Sequence, residues 1–206
     1  NSAARSITTG FSVDAIITPA RTDTGFGEKF VVDRLRGGLK LLQTYEFAAE
    51  GEFSSSDPVK FDSNTSVNLS AYSINVSGAP YVQYAFRRAP SFFDVVCYTG
   101  NGTTTAFNHN LGVAPELLIV KRRNNTSSWF VYVAPLGNGA ILRIESTGAV
   151  STPAVTFNYT TPTASSFYVS TESSANQSGG TYVAYLFASC PGVSKVGSYT
   201  GTGTTQ

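Results

Sequence analysis

One histidine, two cysteines and thirteen acidic residues are the side chains of this 206-residue chain that first suggest acid–base or metal chemistry. The histidine, His109, sits between Asn108 and Asn110 in a polar stretch that separates two strand-like segments. A general base needs an orienting carboxylate and a reacting partner within hydrogen-bond reach, and no acid stands near it in sequence. His109 is therefore expected to be a hydrogen-bonded turn residue. The matching stretch of the first half, Ile7-Thr8-Thr9-Gly10, has no histidine to share a catalytic role. A zinc site needs three or four nitrogen, sulfur or carboxylate ligands, which His109 with the distant Cys97 and Cys190 cannot supply. Both cysteines lie beside apolar segments and read as buried free thiols, since two are too few for a disulfide framework. Asp57 and Asp62 could contribute to a loose cation site, but they follow no calcium-loop spacing, and a solvated loop is the better reading. No two acids stand as the opposed pair that glycoside hydrolysis requires. Thr99-Gly100-Asn101-Gly102 lacks the lysine and helix of a phosphate loop and is read as turn chemistry instead. The sequence thus predicts no enzyme, no cofactor and no metal.

Binding is better provided for. Trp129, the only tryptophan, leads a strand after Thr126-Ser127-Ser128. It either closes one edge of the core or lies exposed as a platform for a sugar, and the core reading is preferred. Arg21, Arg36, Arg122 and Arg123 are the other candidates for contacts to a ligand or partner, because arginine makes planar, bidentate contacts and is enriched at interfaces. Arg36 stands close to Asp33 and is better explained by an ion pair inside the fold.

Composition narrows the partners. Charged residues make up 13% of the chain and the formal net charge is +1, so no global field attracts nucleic acid or an anionic membrane. No apolar run is long enough for a membrane-spanning helix. Hydrophobic residues make up 41%, enough for a substantial core, and the polar surface falls to Ser, Thr and Asn. Such surfaces suit proteins that pack against neighbours or stand outside cells.

The elements that would position these residues are short, β-branched or aromatic, and punctuated by Gly, Pro, Asn and Ser. Val67 with Leu69, Ile74 with Val76, Trp129–Val133, Ile141–Ile144 and Val155–Tyr159 read as strands that bury one face and wet the other. Arg34–Glu50 is the best helical candidate, but Gly37-Gly38 interrupts it, so a strand and a turn are expected there. Internal repetition is the strongest pattern. Tyr81-Val82-Gln83-Tyr84-Ala85-Phe86 aligns with Tyr182-Val183-Ala184-Tyr185-Leu186-Phe187 at an offset of 101 residues, and Tyr98-Thr99-Gly100 aligns with Tyr199-Thr200-Gly201 at the same offset. Gly10, Asp14 and Ile17 match Gly112, Glu116 and Ile119 at 102, so one loop differs by a residue. The expected architecture is all-β: two tandem antiparallel, jelly-roll-like β-sandwiches. The first unit spans residues 1–94, its first strand missing or supplied elsewhere. The second spans 95–195, and 196–206 is the opening strand of a further unit.

The second unit in particular resembles a family of repeat-containing, tail-fibre-like virion proteins of tailed phages, of the marine and cyanobacterial type. The resemblance runs through Tyr98-Thr99-Gly100-Asn101-Gly102, His109–Arg123, Trp129-Phe130-Val131-Tyr132, Tyr182–Phe187 and Tyr199-Thr200-Gly201. In the first unit, Gly10-Phe11, Asp14–Ile17, Asp33–Gly38 and Ala48-Ala49-Glu50 carry a weaker version. Departures there are Val13, Ile17 and Pro19, where the family commonly has Pro, Trp and Lys. The resemblance implies a structural protein on the exterior of a virion tail or capsid, in a fibre or spike that contributes to host attachment. Other virion proteins, a homo-oligomer (a trimer from proteins of that kind) and a host-surface polysaccharide or protein are the partners it implies. An adaptor, cement or decoration protein with no host ligand is the alternative. The resemblance carries over no catalytic residue.

Overall fold

The structure is a computed structural model that describes residues 4–19, 29–53, 59–70, 74–152 and 154–203. The first half contributes β1 (Arg5–Thr8), β2 (Ala15–Thr18), β3 (Phe30–Asp33), β4 (Lys40–Gln43), β5 (Gly51–Glu52), β6 (Val59–Lys60), β7 (Ser66–Leu69) and β8 (Tyr84–Phe86). The second half contributes β9 (Phe93–Thr99), β10 (Thr105–Asn108), β11 (Leu117–Arg122), β12 (Trp129–Val133), β13 (Leu142–Arg143), β14 (Ser166–Val169) and β15 (Thr181–Phe187). One helical turn, α1 (Ser173–Asn176), and a 3-10 turn at Ala134–Leu136 complete the described elements. The protein is an all-β sandwich fold.

The strands form four antiparallel sheets. Two are large, with strand orders β5-β4-β3-β2-β8 and β13-β12-β11-β15-β9, and two are small, β1-β7-β6 and β10-β14. Side-chain alternation along the central strands shows how they stack. Ile16 and Val32 point to one interior with Val67 and Leu69 of the first small sheet. Their neighbours Ala15 and Val31 point the opposite way, into an interior shared with Phe93, Val95, Trp129, Val183 and Tyr185 of the other large sheet. On β15, Tyr182, Ala184 and Leu186 face Phe167 and Val169 of the second small sheet. The order of layers is therefore small sheet, large sheet, large sheet, small sheet, with three apolar interiors between them.

This corrects the expectation that each strand wets one face. β3 is buried at all four residues, and β15 is buried along most of its length. Strands covered on both sides read as near-continuous apolar runs, and Phe30-Val31-Val32, Trp129–Val133 and Tyr182–Phe187 are such runs. Two expected strands are turns instead. Ile74 buries its side chain from a turn. Around Val155–Tyr159, Asn158 and Tyr159 take φ of 54° and 49°, a left-handed conformation that ends any extended run. Cys97 is exposed and Cys190 half-buried, both free, where both were expected to be buried. Cys97 shares the face of Phe93 and Val95 on β9, but it lies past the buried stretch of that face.

The segment after β3 is a tight turn, which settles the broken helical pattern of Arg34–Glu50. Gly37 takes φ +91°, and a Cβ on Gly38 would fall 1.7 Å from the Val59 carbonyl oxygen. The Arg36 amide donates to Asp33 Oδ1 at 2.9 Å, an Asx-type turn that folds Arg36 back over β3.

Candidate functional site

Three of the residues singled out for binding converge on the seam between the two large sheets. Both the Asp33 and the Arg36 side chains are 0% exposed, with Arg36 Nε donating to Asp33 Oδ2 at 2.6 Å. Arg36 Nη1 donates to Glu50 Oε2 at 2.9 Å, and Nη2 donates to the Val31 carbonyl and the Tyr185 hydroxyl, both at 3.0 Å. Tyr185, on the opposite sheet, donates in turn to Asp33 Oδ2 at 2.7 Å. Arg123, also from the second half, makes a bidentate pair with Glu50, Nε to Oε2 at 2.8 Å and Nη2 to Oε1 at 2.9 Å. Two arginines and two carboxylates thus cancel in charge, and each buried polar atom of the Asp33–Arg36 pair has a partner, as low-dielectric surroundings demand. Burial pushes the Glu50 carboxyl up, but its bonds to Arg123 and Arg36 outweigh this and hold it below its ordinary value.

Lys121 and Trp129 continue the seam. The Lys121 ammonium donates to the carbonyls of Phe47 at 3.2 Å, Arg122 at 3.2 Å and Ser127 at 2.8 Å. Burial pushes its pKa down to about 8. Trp129 is 1% exposed; its indole stacks on Tyr185 with centroids 6.5 Å apart and donates Nε1–H to the Gln43 carbonyl at 2.9 Å. Backbone bonds from Glu50 to Arg123 at 2.7 Å and from Ser127 to Phe47 at 2.8 Å close the same edge.

Of the five candidates, Trp129, Arg36 and Arg123 are therefore brought together, but they bind the two halves of the chain to one another. Arg122 stands apart at the surface, donating to Asn124 Oδ1 at 3.1 Å and Gln177 Oε1 at 2.5 Å. Arg21 lies outside the described residues, as does Asp57. Asp62 accepts from Asn68 Nδ2 at 2.9 Å, and among the described residues no group of three or more His, Cys, Asp or Glu could hold a metal. Sequence reasoning missed Lys121, Glu50 and Tyr185 as members of the network. The available signal was a charged residue closing an apolar run, in Phe-Val-Val-Asp at 30–33 and Leu-Leu-Ile-Val-Lys at 117–121.

His109 is 6% exposed. Its Nδ1 accepts from the Leu111 amide at 3.2 Å, and Nε2 faces the Thr163 carbonyl at 3.2 Å. A carbonyl only accepts, so Nε2 carries the proton and the ring is neutral. Burial lowers its pKa, against the opposing pull of Thr163 and Asp94. The unfolded chain, titrating near about 6.5, then takes up a proton before the folded one does. Stability from this residue is complete above that value and falls as pH drops through it toward the folded pKa. Urea midpoints measured between pH 7.5 and 5 should decline for the parent and decline less for His109→Gln. The slope from one proton is at most about 1.4 kcal/mol per pH unit.

Two openings lie near these elements. An apolar cavity of about 190 Å³ lies between the large sheets beside Trp129, Ile144 and Phe187. A larger opening of mixed polar and apolar lining, about 650 Å³, lies between β1, β7 and the segment leading into β8.

Across residues 1–206 the chain matches the family DUF7483, described as a domain of unknown function. No curated protein and no solved structure matches it.

Proposed function

We propose, for a chain that belongs to the DUF7483 family of domains of unknown function, a non-catalytic structural role on the exterior of a phage particle. It would serve as a segment of a fibre or spike that contributes to host-surface attachment. The observation that carries this reading is the seam. Trp129, Arg36 and Arg123 are spent on locking two sandwiches into one body, which suits a stiff building block better than a receptor pocket. The low-charge Ser, Thr and Asn surface and the resemblance to virion proteins support it further. Contacts to other virion proteins, to further copies or to a host polysaccharide or protein fall to the remaining surface, where Arg122 is the accessible candidate. A decoration or cement protein is the second reading, favoured by the exposed apolar side chains of Leu35, Phe47 and Tyr84, which packing on a shell would cover.

Antibody raised against the chain and imaged on intact particles by electron microscopy tests both readings. Label on projecting appendages is the result expected of a fibre. Label spread evenly over the shell replaces it with the cement, and purified particles without the chain overturn both.

A further inference from the structure

We propose that the Asn138-Gly139 step is a site of spontaneous covalent modification, where the asparagine converts to isoaspartate and aspartate with loss of ammonia. The chain holds two Asn-Gly steps, at 101–102 and 138–139. Asparagine is among the chemically labile residues, and a following glycine, having no Cβ, leaves its amide nitrogen open to the side-chain carbonyl carbon. The reaction needs only water. The Gly139 amide nitrogen bonds to Asn138 Cγ, the Cγ–Nδ2 bond breaks, and the amide proton departs with Nδ2 as ammonia. Water then opens the resulting succinimide ring at one of its two carbonyls. Opening at Cγ gives aspartate; opening at the main-chain carbonyl gives isoaspartate, which lengthens the backbone by a carbon atom.

The fold guards the two steps differently. At the first, the nucleophile is engaged, because the Gly102 amide donates to the Asn176 carbonyl at 2.8 Å. The electrophile is held as well. Asn101 Oδ1 accepts from the Thr103 amide at 2.9 Å, the Thr103 hydroxyl at 3.1 Å and Asn176 Nδ2 at 3.3 Å. This clamp is rooted in the core: Asn176 is 0% exposed, and its Nδ2 also donates to the Ser170 carbonyl at 2.8 Å.

At the second step the nucleophile is free. Among the described residues, no group accepts a hydrogen bond from the Gly139 amide. The Asn138 side chain is anchored only through the nitrogen that would leave, Nδ2 donating to Thr161 Oγ1 at 2.7 Å and to the Tyr159 carbonyl at 3.5 Å. Both residues are half-buried in the turn that follows Ala134–Leu136. Packing also favours glycine here, since a Cβ on residue 139 would fall 3.2 Å from the Tyr159 ring. Conversion would remove the donor to Thr161 and place a carboxylate in the turn. In the isoaspartate product the extra backbone atom would also displace the Gly139 carbonyl, which accepts from the Ala154 amide at 2.9 Å.

A guarded step reacts only in the fraction of molecules whose guard has opened. The bonds around Asn101 should therefore slow it on the order of tenfold or more relative to Asn138. The full chain is incubated in mildly alkaline buffer, folded and in urea, until the urea sample has lost amide at both steps. Peptide mapping by mass spectrometry, with fragmentation that separates isoaspartate from aspartate, follows each site. In the folded chain Asn138 should convert on the order of tenfold faster than Asn101, and in urea the two rates should converge. An Asn138 that remains an amide in the folded chain overturns the proposal, and so does an Asn101 that keeps pace with it. A preference for Asn138 that persists unchanged in urea would belong to the local sequence and not to the fold, and would overturn it too.

Discussion

Arg36→Ala should lower the free energy of unfolding by about 3–5 kcal/mol, the range for removing one partner of a buried ion pair. The alanine would leave the Asp33 carboxylate, whose side chain is 0% exposed, with only the Tyr185 hydroxyl and the amide of residue 36 to balance its charge. It would also strip the Val31 carbonyl and one oxygen of Glu50 of a donor. Charge burial, more than lost packing, sets the size of the effect. The double replacement Asp33→Leu with Arg36→Met should therefore recover most of the loss, since a matched apolar pair avoids desolvating either ion. Urea titration followed by circular dichroism measures both, urea being uncharged. A double variant as unstable as Arg36→Ala would show that the turn geometry, and not the charge, is what the pair provides.

Trp129→Ala should be of similar size, about 3–5 kcal/mol, the usual result of emptying a buried large aromatic site. Trp129→Phe keeps a ring against Tyr185 but loses the bond to the Gln43 carbonyl, and about 1 kcal/mol is expected for that step. Because Trp129 is the only tryptophan and lies between the large sheets, its fluorescence reports directly on their separation. In the parent the red shift of its emission should coincide with the loss of β-sheet signal, as one cooperative transition requires. Emission that shifts at lower urea than the backbone signal would mean that the sheets part before they unfold.

The class of the fold was legible in the sequence because short β-branched and aromatic runs between turn residues leave few alternatives. Arg34–Glu50 could be assigned to a turn and a strand from Gly37-Gly38 alone; in the structure Gly37 takes the positive φ of the turn and Gly38 allows the close approach to Val59. The face-to-face packing of the large sheets was not legible. Period-two reading asks which one face of a strand is apolar, and at Phe30-Val31-Val32 or Tyr182–Phe187 both are. Such a run fits one buried face with a tolerant surface as well as two buried faces, and only the partner sheet decides. The same ambiguity governed the candidate site. Arg36 beside Asp33 is local and was readable as an ion pair. Glu50, Arg123 and Tyr185 meet them only through tertiary packing, over separations that no local motif spans. At Val155–Tyr159 the alternation was real, but a backbone turning left-handed at Asn158 and Tyr159 overrode it.

The order of the layers limits how this protein can grow. Each large sheet has two faces, one covered by its small sheet and one by the other large sheet, so stacking stops at two. A third layer would find neither large sheet with a face to spare, and a large sheet without its partner would leave Ile17, Val31 and Leu42 wet. Any larger object would accordingly have to use what the stack leaves open: the outer faces of the small sheets, the loops and the strand edges. An assembly joined at strand edges would be two-fold symmetric where like edges meet and polar where unlike edges meet.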